Sequence, residues 1–137
     1  MARHAERIGK MEAGNLAVIL CAAFLHDIGI LEAQRKHNSA AGRYQEQEGP
    51  PIARGILEKL GAKEALIDEV CDIVAHHHHP REDDTVNFKV LYDADLIVNL
   101  EEENKEKPKT NDELGDLIDR AFLTESGKAE ARKAFNL

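Results

Sequence analysis

One apolar run constrains the fold more than any other part of the chain. It covers residues 16–25, contains no charged residue, and ends directly in His26 and Asp27. Its apolar stripe has helical spacing and comprises Leu16, Ile19, Leu20, Ala23 and Phe24. Continuing the stripe by one turn places His26 and Asp27 on the core-facing side, which predicts a buried central helix over 16–27. A buried histidine and carboxylate need a partner, and a metal ion satisfies both.

Composition limits the class of protein. A chain of 137 residues suits one domain with a hydrophobic core. Its 26 acidic residues outnumber the 18 basic ones, which argues against an extended nucleic-acid partner. No apolar run approaches the ~18 residues that span a bilayer, so we expect no membrane segment and a cytoplasmic protein. Cys21 and Cys71 lie in apolar helical runs and are predicted to be reduced.

Helical periodicity recurs along the chain, and no window shows the alternation of a strand. We therefore predict an all-α fold, a compact bundle of about six to seven helices forming one domain over 1–137. The expected helices cover 2–13, 16–27, 63–79, 86–103, 113–122 and 125–136, with another that begins at Pro50-Pro51 and ends before Gly61. The expected N-caps are Asn15, Asn111 or Asp112, and Thr124.

Residues 29–49 are predicted to form a long, polar, irregular loop, which is more often functional than idle. Lys36 and Arg43 are its cations best placed to meet a phosphate, although both also fit solvated loop charges. Glu48 precedes the predicted helix start. It either complements the helix dipole or faces the metal.

Four consecutive histidines, residues 76–79, end the helix 63–79. At ~100° per residue, His77 and His78 stay on the buried face while His76 and His79 point away. His77 and His78 are therefore candidate ligands, and the alternative is a polar helix end without a role.

Two carboxylates, Asp93 and Asp95, interrupt the apolar stripe of the helix 86–103. They lie on opposite edges of that stripe, so spacing alone does not choose between them. Spacing alone also favours a surface position near the terminus for His4.

The order His … His-Asp … Asp on helices of one small α domain resembles the HD-domain superfamily. The strings Phe24-Leu25-His26-Asp27-Ile28-Gly29 and Leu91-Tyr92-Asp93-Ala94-Asp95-Leu96 carry the resemblance, which covers about residues 3–100. The metal ligands that it implies are His4, His26, Asp27 and Asp95. It leaves Asp93 a structural role or one beside the site.

The same resemblance extends to branches of the superfamily with two metals. There, His77 and His78 correspond to a His-His pair that binds a second metal or phosphate, and Glu48 lies near the place of a histidine that this chain lacks. The C-terminal helices, 111–136, carry no motif of the family. We expect them to cover one flank of the site or to form a homodimer contact.

A mixed nitrogen and oxygen ligand set suits Mn, Fe, Co, Ni, Zn or Mg. The predicted function is hydrolysis of a phosphomonoester or phosphodiester by a metal-activated water. Among such esters, a nucleotide is the favoured substrate. The predicted catalytic residues are Asp27, His77 and His78. The residues predicted to neutralise the phosphate are Lys36, Arg43 and Arg54. One alternative is a non-catalytic regulatory domain that binds nucleotide and metal, and another is a di-iron oxygenase.

Overall fold

Eight α-helices and no strand make up the fold in the computed structural model, which describes residues 1–137. The helices are α1 (Ala2–Met11), α2 (Leu16–Leu25), α3 (Ile30–His37), α4 (Gly42–Lys59), α5 (Glu64–His76), α6 (Val86–Glu106), α7 (Asn111–Ala121) and α8 (Glu125–Ala134). The all-α prediction is confirmed. The added helix is α3, which comes from the segment 29–49.

The segment 29–49, predicted to be irregular, is mostly helical. α4 begins at Gly42 and runs through Pro50 and Pro51, which lie inside the helix rather than at its first turn. A proline inside a helix lacks the N–H for its intrahelical bond, so spacing could not predict continuity here. Close packing supports this part of α4, since a Cβ on Gly29 would lie 2.6 Å from the backbone N of Gly49.

The core lies between α1, α2, α5 and α6, with α2 in contact with the other three. The largest fully buried apolar side chains include Ile8, Ile19, Ile67, Ile73, Phe88, Leu91 and Ile97. Phe24 was predicted to share this face but is 75% exposed. Ile19 and Ala23 are buried as predicted, but because α2 is apolar on all sides, the pattern could not show that Val18 and Ala22 share the buried face with them.

The stretch Leu16–His37 has the length and composition of a helix that could cross a membrane, a test that core helices also pass. In the structure it consists of two helices, α2 and α3, separated by a turn at residues 26–29. α2 packs against three helices and α3 against α4. These contacts are those of a core segment.

The helix N-caps combine two confirmed predictions and one correction. Asn15 accepts hydrogen bonds from the backbone of Ala17 and Val18, and Thr124 accepts one from Gly127. α7, by contrast, is capped by Thr110 in a capping box with Glu113, rather than by Asn111 or Asp112. Asn111 is already the first helical residue, which leaves the extended position before it to Thr110.

Asp93 anchors the C-terminal helices to α6. Its carboxylate is fully buried and accepts hydrogen bonds from the backbone N of Leu123 (2.8 Å), the backbone N of Thr124 (2.9 Å) and the Thr124 hydroxyl (2.6 Å). Since Thr124 also caps α8, Asp93 holds the start of that helix. The structure therefore places Asp93 in the structural role that the sequence left open.

Candidate metal centre

Four side chains from the ends of α2 and α5 and the middle of α6 meet at one place. His26 Nε2 lies 3.1 Å from Asp27 Oδ2 and 3.5 Å from Asp95 Oδ1. His77 Nε2 lies 3.7 Å from Asp27 Oδ1. Tertiary packing therefore brings together residues from three distant stretches of the chain, and it selects Asp95 over Asp93 for this site.

The two buried histidines present the same ring nitrogen to the carboxylates. His26 donates from Nδ1 to the Ala23 carbonyl and His77 donates from Nδ1 to the Val74 carbonyl, each at 2.8 Å. Because Nδ1 of each ring is hydrogen-bonded to a backbone carbonyl, Nε2 faces the site, which is the arrangement that metal-binding histidines commonly have. His77 Nε2 is buried and has no hydrogen-bond partner. A buried polar atom without a partner is rare, and a cation satisfies it.

The electrostatics of the site favour positive charge. Burial by itself lowers the pKa of His26, but the hydrogen bonds and charges of Asp27 and Asp95 outweigh burial and raise that pKa to about 10. The His26 ring in contact with Asp27 and the nearby His77 ring hold the pKa of the Asp27 carboxyl well below its usual range, although burial opposes them. The Asp27 carboxylate is therefore ionised at neutral pH, as cation binding requires.

Asp27, His77 and His78 form a group whose potential ligand atoms lie within 4.8 Å of one another. His77 is buried as predicted, whereas His78 is exposed and its Nε2 donates to Gln45 Oε1 at 3.1 Å. The helical rotation does not apply to His78 because α5 ends at His76. The proximity of these three side chains supports the candidate site.

His76 was predicted to point away from the core, but only 4% of it is exposed. Its ring stacks on Phe88 with centroids 4.3 Å apart, and its Nε2 contacts Asp84 Oδ1 at 2.6 Å. Asp84 lies in the loop after the histidine run. A helical wheel describes only one helix, so it does not predict that this loop folds back onto His76. His79 is exposed, as expected, and its Nδ1 donates to Glu46 Oε1 at 2.7 Å.

His4 lies against the C-terminal helix and α6. Its Nδ1 donates to Glu130 Oε1 at 3.0 Å, and its Nε2 is 3.6 Å from Glu101 Oε1. No ion pair within 4.0 Å joins His4 to Asp27 or Asp95. The structure thus shows no direct contact between His4 and either candidate carboxylate, and its role as a ligand stays a prediction.

Glu130 is a buried carboxylate that joins α8 to α1, since it accepts hydrogen bonds from His4 and from Arg7 at 3.1 Å. We expect Glu130→Gln to lower the free energy of unfolding by about 1–3 kcal/mol at pH 7, because hydrogen bonds to a buried charge are lost. Urea titration measures this change. The control Glu125→Gln alters an exposed carboxylate of α8 and should have little effect.

The pH dependence of the Glu130 contribution has a definite sign. Burial raises the pKa of Glu130, but hydrogen bonds from His4 and Arg7 outweigh it and hold the pKa below its usual value of 4.5. A lowered pKa of an acid stabilises the fold above the unfolded-state pKa. The difference between wild type and Glu130→Gln should therefore shrink as the pH falls below about 4.5. A constant difference down to the acid transition would contradict this assignment.

Two of the cations predicted to meet a phosphate, Lys36 and Arg43, contact other side chains of the protein. Lys36 Nζ lies 3.0 Å from Glu48 Oε1, and Arg43 donates to the Tyr44 hydroxyl at 2.8 Å. Glu48 also contacts His37 Nε2 at 3.0 Å and lies inside α4. This corrects the interpretation that Glu48 precedes a helix start, and its position beside the metal stays a prediction.

Arg54 is held by Glu64 and Asp68, each at 2.7 Å, in the first turns of α5. His77 lies just beyond the other end of this 13-residue helix, roughly 20 Å along an axis that rises 1.5 Å per residue. Arg54 is therefore not placed to contact a phosphate at the candidate site. Sequence spacing could not reveal this separation.

A cavity of about 120 Å³ opens beside the candidate metal centre. The residues that line it are His77, His78, Tyr92, Asp95, Leu96 and Asn99. Tyr92 and Asn99 were not among the predicted site residues. A helical signal was available for both, because positions 92, 95, 96 and 99 share one face of α6.

The comparisons with known proteins agree with this geometry. A family model described as the HD domain matches residues 1–121 of the 137-residue chain. No curated protein and no solved structure matches the chain. The matched segment contains His26, Asp27 and Asp95, and the chain therefore belongs to the HD-domain family, whose superfamily is of the metal-dependent phosphohydrolase type.

Proposed function

We propose that this protein hydrolyses a phosphate ester with a divalent cation held at the centre formed by His26, Asp27 and Asp95. The leading candidate substrate is a nucleotide. The observation that carries the proposal is the buried, unpartnered Nε2 of His77, which faces Asp27 Oδ1 at 3.7 Å. A site that leaves this atom without a partner has room and chemistry for a cation.

The donor set fits a divalent metal of the first transition row or Mg, because it combines imidazole nitrogen with carboxylate oxygen. When bound, such a cation supplies an acidified water and a counter-charge for the phosphoryl group. Asp27 directs Oδ2 toward His26 and Oδ1 toward His77, so its two oxygens connect both histidines. This position makes Asp27 the residue on which the site most depends.

The hydrogen bonds that His77 and His78 make suit a role as metal ligands better than a role as hydrogen-bond donors to phosphate. His77 uses Nδ1–H on Val74, and His78 uses Nε2–H on Gln45. Burial and the neighbouring His77 lower the pKa of His78, so its ring is neutral at pH 7 and its Nδ1 has a free lone pair. Both rings therefore offer an acceptor nitrogen to a cation.

The test uses protein stripped of metal with a chelator and reloaded separately with Mn, Fe, Co, Ni, Zn or Mg. Release of free phosphate is measured on a panel of nucleoside monophosphates and on p-nitrophenyl phosphate. We expect turnover only in reloaded samples. Tight nucleotide binding without product would instead indicate a regulatory binding domain. Oxygen consumption by the iron-loaded protein, without phosphate release, would indicate an oxygenase.

Replacing His77 by alanine tests the same site within the histidine run. We expect His77→Ala to reduce metal affinity and kcat/KM by about 100-fold, the range seen when groups that tune a metal site are removed. The matched control is His79→Ala, because His79 is exposed and contacts only Glu46 in its ion pairs. Isothermal titration with the metal and steady-state kinetics measure both effects. Equal losses in the two variants would exclude a specific role for His77.

A further inference from the structure

We propose that the cavity beside His77 is the substrate pocket, and that its α6 wall selects phosphomonoesters of hydroxyl-rich alcohols over di- and triphosphates. This inference rests on the proposed hydrolase function and adds the substrate class. It names Asn99 as the contact residue for the alcohol, and Glu102 with Glu103 as the residues that exclude longer phosphate chains.

The size of the cavity limits what it encloses. Its volume of about 120 Å³ is well below the ~300–1,000 Å³ of pockets that enclose whole small ligands. A single phosphoryl group therefore fits inside, and the remainder of the substrate lies over the rim. Only 3% of His77 is exposed, and His77 and Asp95 both line the cavity, so the enclosed end of the substrate lies beside the candidate centre and is the reacting end.

The wall of the cavity contains no fixed positive charge. Its side chains are two imidazoles, a carboxylate, a phenol, an amide and the apolar Leu96. Lys36 and Arg54 pair with carboxylates and Arg43 donates to the Tyr44 hydroxyl, and none of the three lines the cavity. Sites that bind several phosphates ordinarily supply arginine, lysine or a nest of backbone N–H groups. Here only the bound cation offsets phosphate charge, which is enough for one phosphoryl group.

The rim of the cavity continues along the same face of α6. Glu102 and Glu103 follow Asn99 by three and four residues, so they lie one turn further on that face. Both are exposed, and no ion pair within 4.0 Å neutralises either one. Their charge repels a second or third phosphate that extends over the rim. An uncharged hydroxyl in the same place can instead hydrogen-bond to the Asn99 amide.

The test compares kcat/KM for adenosine mono-, di- and triphosphate and for ribose 5-phosphate, on metal-loaded protein. We expect the monophosphate to exceed the triphosphate by roughly tenfold, a preference that the charge repulsion explains. Ribose 5-phosphate separates a sugar phosphate from a nucleoside monophosphate as the preferred alcohol. Asn99→Ala should raise KM for the preferred monophosphate severalfold and leave kcat nearly unchanged, because it removes binding that ground state and transition state share.

The double variant Glu102→Gln/Glu103→Gln tests the rim directly. We expect it to raise kcat/KM for the triphosphate by about fivefold and so to narrow the ratio between the monophosphate and triphosphate values. The matched control Asp112→Asn/Asp116→Asn removes two exposed charges from α7 and should change neither value. A wild type that prefers the triphosphate, or a preference that the rim variant does not alter, would overturn the inference while hydrolysis itself stands.

A binding measurement separates this inference from the proposed function. If no substrate releases phosphate with any metal, the hydrolase proposal fails. The pocket is then judged by calorimetric dissociation constants of adenosine mono- and triphosphate on metal-loaded protein. The same preference, reduced in the rim variant but not in the α7 control, supports the pocket, and equal affinity for the two nucleotides overturns it.

Discussion

Replacing Asp27 by alanine is expected to abolish metal binding and phosphate release while the helical circular-dichroism signal survives. Asp27 is the one carboxylate that lies within 4 Å of both site imidazoles, at 3.1 Å from His26 and 3.7 Å from His77. It belongs to the turn between α2 and α3, and about half of its side chain is exposed, so its loss leaves no core cavity. We expect metal affinity to fall by more than about 100-fold, beyond the usual effect of removing a supporting group.

Metal titration calorimetry and far-ultraviolet circular dichroism measure the two halves of this prediction. Asp83→Ala is a suitable control, because the substitution removes the same charge from an exposed acid in the loop after the histidine run. Hydrolysis or metal binding that persists in Asp27→Ala would defeat the assignment of the centre. Loss of the helical signal would show that Asp27 acts on the fold.

Replacing Asp93 by alanine is expected to destabilise the fold by about 3–5 kcal/mol, because three buried donors lose their acceptor. These donors are the backbone N of Leu123 and both the backbone N and hydroxyl of Thr124. Such a loss is a large part of the ~5–15 kcal/mol by which domains are stable. Because Thr124 caps α8, that helix should detach first.

The control for Asp93 lies two residues away on the same helix. Asp95→Ala removes a carboxylate that faces His26 at 3.5 Å and should weaken metal binding strongly while changing the unfolding midpoint little. Chemical denaturation and limited proteolysis near residue 123 measure stability, and calorimetry measures metal affinity. Two results together would reverse the roles assigned here. Asp93→Ala would lose metal affinity without a change in the free energy of unfolding, and Asp95→Ala would lower the free energy of unfolding without a change in metal affinity.

Sequence periodicity determined the fold class and most helix positions. Helical spacing is a local property of the chain, and caps such as Asn15 and Thr124 depend on neighbours within three residues. The string around His26-Asp27 also identified the family, since the motif is contiguous. Where local rules conflicted, as at Pro50-Pro51 inside α4, the prediction was wrong because packing of Gly29 against Gly49 supports a helix that proline disfavours.

Tertiary structure alone decided which polar groups meet. Asp93 and Asp95 are equivalent by spacing, and only the fold directs one to Thr124 and the other to His26. The nearest partners of Lys36, Arg54 and His4 likewise lie on other helices. Periodicity places a residue on a face of its own helix, but charges and hydrogen bonds act over a few ångströms in space. The sequence by itself therefore determined the helices and the candidate ligands, and the packing of those helices decided which ligands share one centre.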